Sequence, residues 1–249
     1  MDHILYTIIF LYGITIGSFL NVLIYRIPRG EDFVKTRSHC MDCGYELRWY
    51  DLIPLGSYVA LRGRCRSCQT KLSMQYPMIE LANGLLYVLI FYVCGFTVTS
   101  ILYALTASAL LALSVIDDRT FEIPVGFNVF IGMLGLIELL CHYKDPLDYI
   151  IGFFSVSTFL VLLQILTRGR GMGGGDVKLM AVAGLLLGWK LVILAFFIGC
   201  LLGSILHITR MKLVDAGHML AFGPYLSMGI IISMLWGNDL IAWYLQLMF

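Results

Sequence analysis

The stretch VTSILYALTASALLALSVID, residues 98–117, decides what kind of protein this is. It runs from Val98 to Ile116 without a charge and stops on Asp117. A helix rises about 1.5 Å per residue, so this run is of the length that crosses a hydrocarbon core about 30 Å thick. The rest of the chain repeats the pattern. Of 249 residues, 59% are hydrophobic and 13% charged, where a soluble domain carries about 25% charged residues. Mean hydropathy is +0.86. Apolar stretches lie at 4–24, 77–95, 98–116, 124–141, 148–167, 177–189, 191–209 and 222–247, with the charges gathered between them. The pattern predicts an all-α, polytopic membrane protein with about eight transmembrane helices. The break at Gly188-Trp189-Lys190 is the least sharply marked. The first span has no basic flank and no small-residue cleavage site ahead of it, so it is expected to be retained.

Lysine and arginine set the orientation. Residues 25–76 hold Arg26, Arg29, Lys35, Arg37, Arg48, Arg62, Arg64, Arg66 and Lys71. With eight spans, Arg119, Arg168, Arg170, Lys178, Arg210 and Lys212 fall on the same side, and only Lys144 and Lys190 fall opposite. The positive-inside rule then places residues 25–76 and the loops near 118, 172 and 214 in the cytoplasm, with both termini outside. The expected division is a first helix (1–24), a small cytoplasmic loop domain (25–76) and a seven-helix membrane domain (77–249).

The loop domain carries Cys40-Met-Asp-Cys43 and Cys65-Arg-Ser-Cys68. Two C-x-x-C pairs, with 21 residues between them, come within one residue of a four-thiolate zinc pattern. Each pair offers two thiolates from a tight turn, and two turns complete a tetrahedron. A segment this small lacks a sizeable core, so a metal staple suits it. Four cysteines close the shell, which predicts structural zinc with no open catalytic position. Redox-active or unmetallated thiols are the rival reading, which a reducing cytoplasm disfavours. Cys94, Cys141 and Cys200 lie within spans and read as small apolar residues.

Two carboxylates stand apart from the rest. Asp117 ends the third span ahead of Pro124, a residue suited to the first turn of the next helix. Asp176 follows Gly173-Gly174-Gly175 and precedes an apolar helix. Both fall at cytoplasmic helix ends. Two carboxylates sharing a low-dielectric cleft cannot both ionise easily, so one holds a proton as acid while the other activates water. The glycines let a second backbone approach Asp176 closely. Taken singly, Asp176 is also a plain helix cap, and Asp117 a plain helix-end carboxylate. Asp118 and Glu122 read as solvated loop charges and Lys178 as a snorkelling cation. His207 reads as structural. Glu80 reads either as a buried partner or as an interfacial group.

Gly173-Gly-Gly-Asp176 fits the GxGD signature of intramembrane aspartic proteases, with Asp117 and Pro124 as its other half. Gly17-Ser-Phe-Leu-Asn-Val-Leu-Ile-Tyr-Arg-Ile-Pro28, Asp51-Leu-Ile-Pro-Leu, Leu61-Arg-Gly-Arg-Cys-Arg-Ser-Cys68, Tyr76-Pro-Met-Ile-Glu80 and Ala221-Phe-Gly-Pro-Tyr225 complete the pattern. Together they resemble the bacterial prepilin peptidases, or type IV leader peptidases, over nearly the whole chain. The resemblance implies an aspartic endopeptidase of the bacterial cytoplasmic membrane that removes the leader of type IV prepilins and pseudopilins, with Asp117 and Asp176 catalytic. It also implies N-methylation of the new terminus from S-adenosylmethionine, an activity the family associates with the cysteine-bearing segment. Met41 stands where many members have proline, and Val125 where many have aspartate. No dinucleotide-type glycine loop marks where the methyl donor binds. The expected partners are the bilayer and prepilin substrates, with no nucleic acid.

Two other classes compete. A transporter could use Asp117 and Asp176 as an ion or proton relay, but it needs neither the glycine run nor a metal-stapled loop, and no inverted repeat is evident. A membrane-anchored zinc adaptor would need only residues 25–76 and leaves both aspartates unexplained.

Overall fold

A computed structural model describes residues 2–142, 145–168, 173–214 and 221–248. Lys144 and Arg170, counted in the charge asymmetry, lie outside these residues, as do the side chains of His207, Arg210 and Lys212. Among the described residues there is no strand, only helices and two isolated bridges. The helices are α1 (Asp2–Arg26), a short α2 (Gly56–Ala60), α3 (Gln75–Cys94), α4 (Val98–Thr120), α5 (Val125–Cys141), α6 (Pro146–Leu166), α7 (Gly174–Leu187), α8 (Trp189–Val214) and α9 (Gly223–Met248). All but α2 coincide with the eight apolar stretches read from the sequence.

Six of these helices (α1, α3, α4, α6, α8 and α9) are long and apolar enough to cross a membrane, and α5 is a shorter apolar helix. The 14 residues of α7 rise only about 21 Å. Its length is set by glycine at both ends, Gly173 at the N-cap and Gly188 at the C-cap with φ 79°. Two boundaries differ from expectation. Helix α4 continues past Asp117 to Thr120, and Pro124 is the N-cap of α5 rather than part of its first turn.

The chain forms two compact units, Met1–Ser100 and Ile101–Phe249. In the first, α1 packs along α3. Residues Gly13 and Gly17 form a small-xxx-small face, the pattern that lets two membrane helices bring their backbones together. A Cβ at Gly13 would lie 2.7 Å from Gly84 Cα, and one at Gly17 would lie 2.8 Å from Glu80 Cα. Where backbones come this close, buried amides add hydrogen bonds. Asn83 Nδ2 donates to Gly13 O at 2.7 Å, and Asn21 Nδ2 to Tyr76 O at 3.1 Å.

In the second unit α7 is central, packing on α5, α6, α8 and α9. Val177, Leu179, Met180, Ala183, Leu186 and Leu187 are all buried, so this helix is apolar on every side because it is surrounded. Gly152 of α6 and Gly184 of α7 meet backbone to backbone, with no room for a Cβ on either. Leu102, Leu134 and Leu186 join α4, α5 and α7 in one apolar cluster.

Candidate active site and metal centre

The loop between α1 and α3 is built around its two cysteine turns. In the first, Cys40 N–H donates to Tyr45 O at 2.9 Å and Gly44 N–H donates to Cys40 O at 2.9 Å. In the second, Cys65 N–H donates to Thr70 O at 2.9 Å and Gln69 N–H to Cys65 O at 3.1 Å. Each turn is closed by an antiparallel bridge, His39 with Glu46 and Arg64 with Lys71. Both need a left-handed residue at the same place, met by Gly44 (φ 70°) and by Gln69 (φ 60°). The repeated turn puts two thiols of each pair toward the other pair. Cys40 Sγ lies 3.8 Å from Cys68 Sγ, Cys43 Sγ lies 4.0 Å from Cys65 Sγ, and all four sulfurs fall within 4.8 Å of one another.

A tetrahedral zinc with Zn–S near 2.3 Å has sulfur–sulfur edges of about 3.8 Å. The donor set and its spacing therefore fit a metal ion. The site is half-sheltered, with Cys40 and Cys65 buried and Cys43 and Cys68 exposed. Hydrogen bonds of the Thr70 side chain and backbone bring the Cys68 thiol down from the ordinary 9.0 to about 6, toward the thiolate that a metal requires.

Asp51 ties the two turns together. Its carboxylate is 1% exposed and receives Arg66 Nε at 2.7 Å from beside the second turn. From beside the first it receives the Arg48 N–H at 3.2 Å and the Tyr45 hydroxyl at 3.4 Å. Arg26, buried at the end of α1, donates to the carbonyls of Asp32, Thr36 and Arg37. The Asp51-Leu-Ile-Pro-Leu motif gave no hint of this bridging role, because a single aspartate has no partner visible at fixed spacing.

The second unit brings Asp117 and Asp176 to one cavity of about 230 Å³, lined by both carboxylates, Phe121, Glu122, Ile123 and Gly173 to Gly175. Asp117 is 5% exposed and Asp176 is 8% exposed, and they are near enough for their charges to interact. Asp176 occupies the first turn of α7, where a carboxylate meets the positive end of the helix, and hydrogen-bonds back to the Gly173 backbone. The capping reading is thus partly right: Gly173 is the N-cap, and Asp176 serves the same turn from inside it.

The glycine run also has a definite neighbour. A Cβ at Gly175 would stand 2.9 Å from Ile123 Cβ, so the missing side chain admits the loop that follows Asp117. Asp117 in turn accepts the backbone N–H of Gly223 on Oδ2 at 2.9 Å. Gly223 belonged to a noted motif, but nothing in the sequence connected it with Asp117. Asp118 and Lys178 are exposed, as expected. Glu122 is exposed too, yet it lines the cavity. Glu80 is a buried partner, accepting the Leu55 N–H on Oε2 at 2.7 Å.

Known proteins are similar to this chain over most of its length. Residues 11–94 match the bacterial peptidase A24 N-terminal domain, and residues 104–208 match the type IV leader peptidase family. The chain is 33% identical to the prepilin leader peptidase/N-methyltransferase of Pseudomonas aeruginosa, over 95% of its own length and 92% of the relative's. Identity to the protein of the same name from Aeromonas hydrophila is 31%, over 96% and 93% of the two chains. For that of Neisseria gonorrhoeae it is 32%, over 86% and 85%. The transporter reading finds no support in these relatives. No solved structure matches the chain.

Proposed function

We propose a function on this premise: the chain belongs to the type IV leader peptidase family. It is a prepilin leader peptidase and N-methyltransferase, a multi-pass protein of the bacterial cytoplasmic membrane with its active site facing the cytoplasm. Its substrates are type IV prepilins and pseudopilins. The observation that carries this reading is the meeting of Asp117 and Asp176, distant in sequence, in one cavity of the second unit.

In this reading the two carboxylates share one proton and titrate as a pair. Water adds to the scissile carbonyl carbon while its proton passes to the ionised carboxylate. The protonated carboxyl gives its proton to the carbonyl oxygen. Collapse of the tetrahedral adduct breaks the C–N bond, and the amine leaves with a proton from the dyad. Gly223 N–H occupies Asp117 Oδ2, which leaves Oδ1 to face the water. Residues 25–76 form the cytoplasmic tetra-Cys domain, with Cys40, Cys43, Cys65 and Cys68 holding structural zinc. Residues 1–24 are the first span, and 77–249 hold the peptidase chemistry. S-adenosylmethionine, when bound, supplies an activated methyl group for the new N-terminal amine.

Separate Asp117→Asn and Asp176→Asn variants test the dyad in a membrane-based prepilin cleavage assay. Each is expected to abolish cleavage while the protein remains folded, because an amide can neither hold the shared proton nor activate water. Near-normal cleavage by either variant would remove the dyad from the mechanism.

A further inference from the structure

A cavity of about 300 Å³ in the first unit is lined by none of the residues that surround the aspartate dyad. Ser18, Asn21 and Tyr25 of α1 line it, with Tyr76 and Glu80 of α3 and residues of the intervening loop. Its volume falls in the range of small-molecule sites.

Three of the charged groups that line it are buried, Arg26, Asp51 and Glu80, and two of the three are committed. Asp51 is neutralised by Arg66, and Arg26 is saturated by carbonyls. Glu80 is only 7% exposed. Its hydrogen-bond partners are the Leu55 N–H and Ser18, both neutral. Among the described residues no cation forms an ion pair with it. A buried carboxylate without a counter-charge is costly, and such a residue at a membrane-helix end marks a site for a partner.

The surroundings fix its position. Gly17 lets α1 close to within van der Waals contact of the Glu80 backbone. On the other side Leu55 is held at φ 58° and ψ −45°, a conformation that L residues rarely adopt. Strain of this kind persists where neighbouring structure imposes it, and here the Glu80 carboxylate grips the strained amide. Tyr58 and Tyr76 add aromatic rings to the lining, and such rings favour cations; the Tyr25 ring already carries the Arg29 guanidinium at 3.6 Å.

We propose that this cavity seats the methyl donor and that Glu80 faces its sulfonium charge. The inference rests on the methyl-transfer half of the proposed function and adds to it a location and a recognition element. Transfer of the methyl group leaves a neutral thioether, so a carboxylate at this place favours the charged donor over its demethylated product.

Equilibrium binding to the purified full-length protein tests this without any turnover. The probes are S-adenosylmethionine and S-adenosylhomocysteine, measured on wild type, Glu80→Gln and Ser57→Trp. Glutamine keeps an acceptor for the Leu55 N–H, and prepilin cleavage with an unchanged melting temperature shows that the fold survives. The expected result for Glu80→Gln is at least a tenfold loss of affinity for the charged donor and less than threefold for the neutral product. Ser57 lines the cavity, and tryptophan there should exclude both ligands.

Equal affinities in wild type and Glu80→Gln, or equal losses for both ligands, would overturn the role given to Glu80 while leaving methyl transfer in place. Unimpaired binding by Ser57→Trp would move the donor out of this cavity. Wild-type protein that binds neither ligand would overturn the inference together with the methyl-transfer reading.

Discussion

Gly223 holds Asp117: its backbone N–H donates to Asp117 Oδ2 at 2.9 Å, and a Cβ on Gly223 would lie 2.7 Å from that same oxygen. Hydrogen bond and steric fit therefore depend on one missing side chain. Gly223→Ala is expected to push the carboxylate out of place and to weaken the bond, at a cost of about 1–3 kcal/mol. If it falls on the transition state, leader cleavage slows by about 10- to 100-fold. Initial cleavage rates in membranes, beside expression and thermal stability, provide the check. A wild-type rate would show that Asp117 is positioned by something else.

Gly184 tests whether α7 positions the dyad as a rigid body. It abuts Gly152 of α6 and lies eight residues beyond Asp176, about 12 Å along the helix. Gly184→Val must separate α6 from α7, and overpacking of this kind costs about 1–3 kcal/mol or more. Both cleavage and the melting temperature should fall although no catalytic group is touched. Gly126→Ala is the matched control, since a Cβ there meets nothing within 4 Å. An active, fully stable Gly184→Val protein would show that the helix contact is not needed.

Much of this was readable beforehand, and the exceptions share a cause. Helix positions followed from apolar runs, and the cysteine cluster from local spacing, because both signals lie in neighbouring residues. The pairing of Asp117 with Asp176 was readable from two similar helix ends on one membrane face and from the resemblance carried by the GxGD signature. Its third member, Gly223, acts through a backbone N–H, which no side-chain chemistry announces. The partners of Asp51 and Glu80 were equally silent, although burial of Glu80 was one of its two readings. The first binds across the two cysteine turns and the second binds a backbone amide 25 residues away. Such contacts exist only after folding.

Asp51 should matter to the loop out of proportion to its size. Asp51→Asn removes the charge that Arg66 meets at 2.7 Å, and hydrogen bonds to charged groups contribute about 1.5–3 kcal/mol. The expected outcome is at least tenfold faster proteolysis within residues 25–76 and faster loss of metal to a chelator. Unchanged rates in both assays would mean that the cysteine turns stand without this bridge.

The metal prediction has a composition and a pH dependence. Purified protein should carry about one zinc per chain, and replacing any one of Cys40, Cys43, Cys65 or Cys68 by serine should loosen it and open the loop to protease. The lowered Cys68 value fixes the sign for that residue's contribution. A depressed thiol favours the folded form above its ordinary value of 9.0, and this contribution disappears as pH falls through about 6. In metal-free protein the loop should therefore become more protease-sensitive as the solution is acidified past that point, and Thr70→Val should shift this loss to higher pH. Zinc-free wild-type protein with reversible Cys40–Cys43 oxidation would favour the redox reading instead.

The close join of α1 and α3 has a consequence for how the chain is put together. Gly13 and Gly17 bring the two helices into backbone contact, and Asn21 reaches the carbonyl of Tyr76 across their loop-side ends. The polypeptide between them is thus a ring closed by lipid-embedded packing before any ion arrives. Much of the entropy of bringing distant segments together is already spent at membrane insertion, and the four thiols meet at a high effective concentration. The covalent connection through the loop then becomes dispensable. A chain nicked between Gly30 and Thr36, or made as two polypeptides divided there, should still assemble, with α1 recruited by its glycine face and its amide hydrogen bonds to α3.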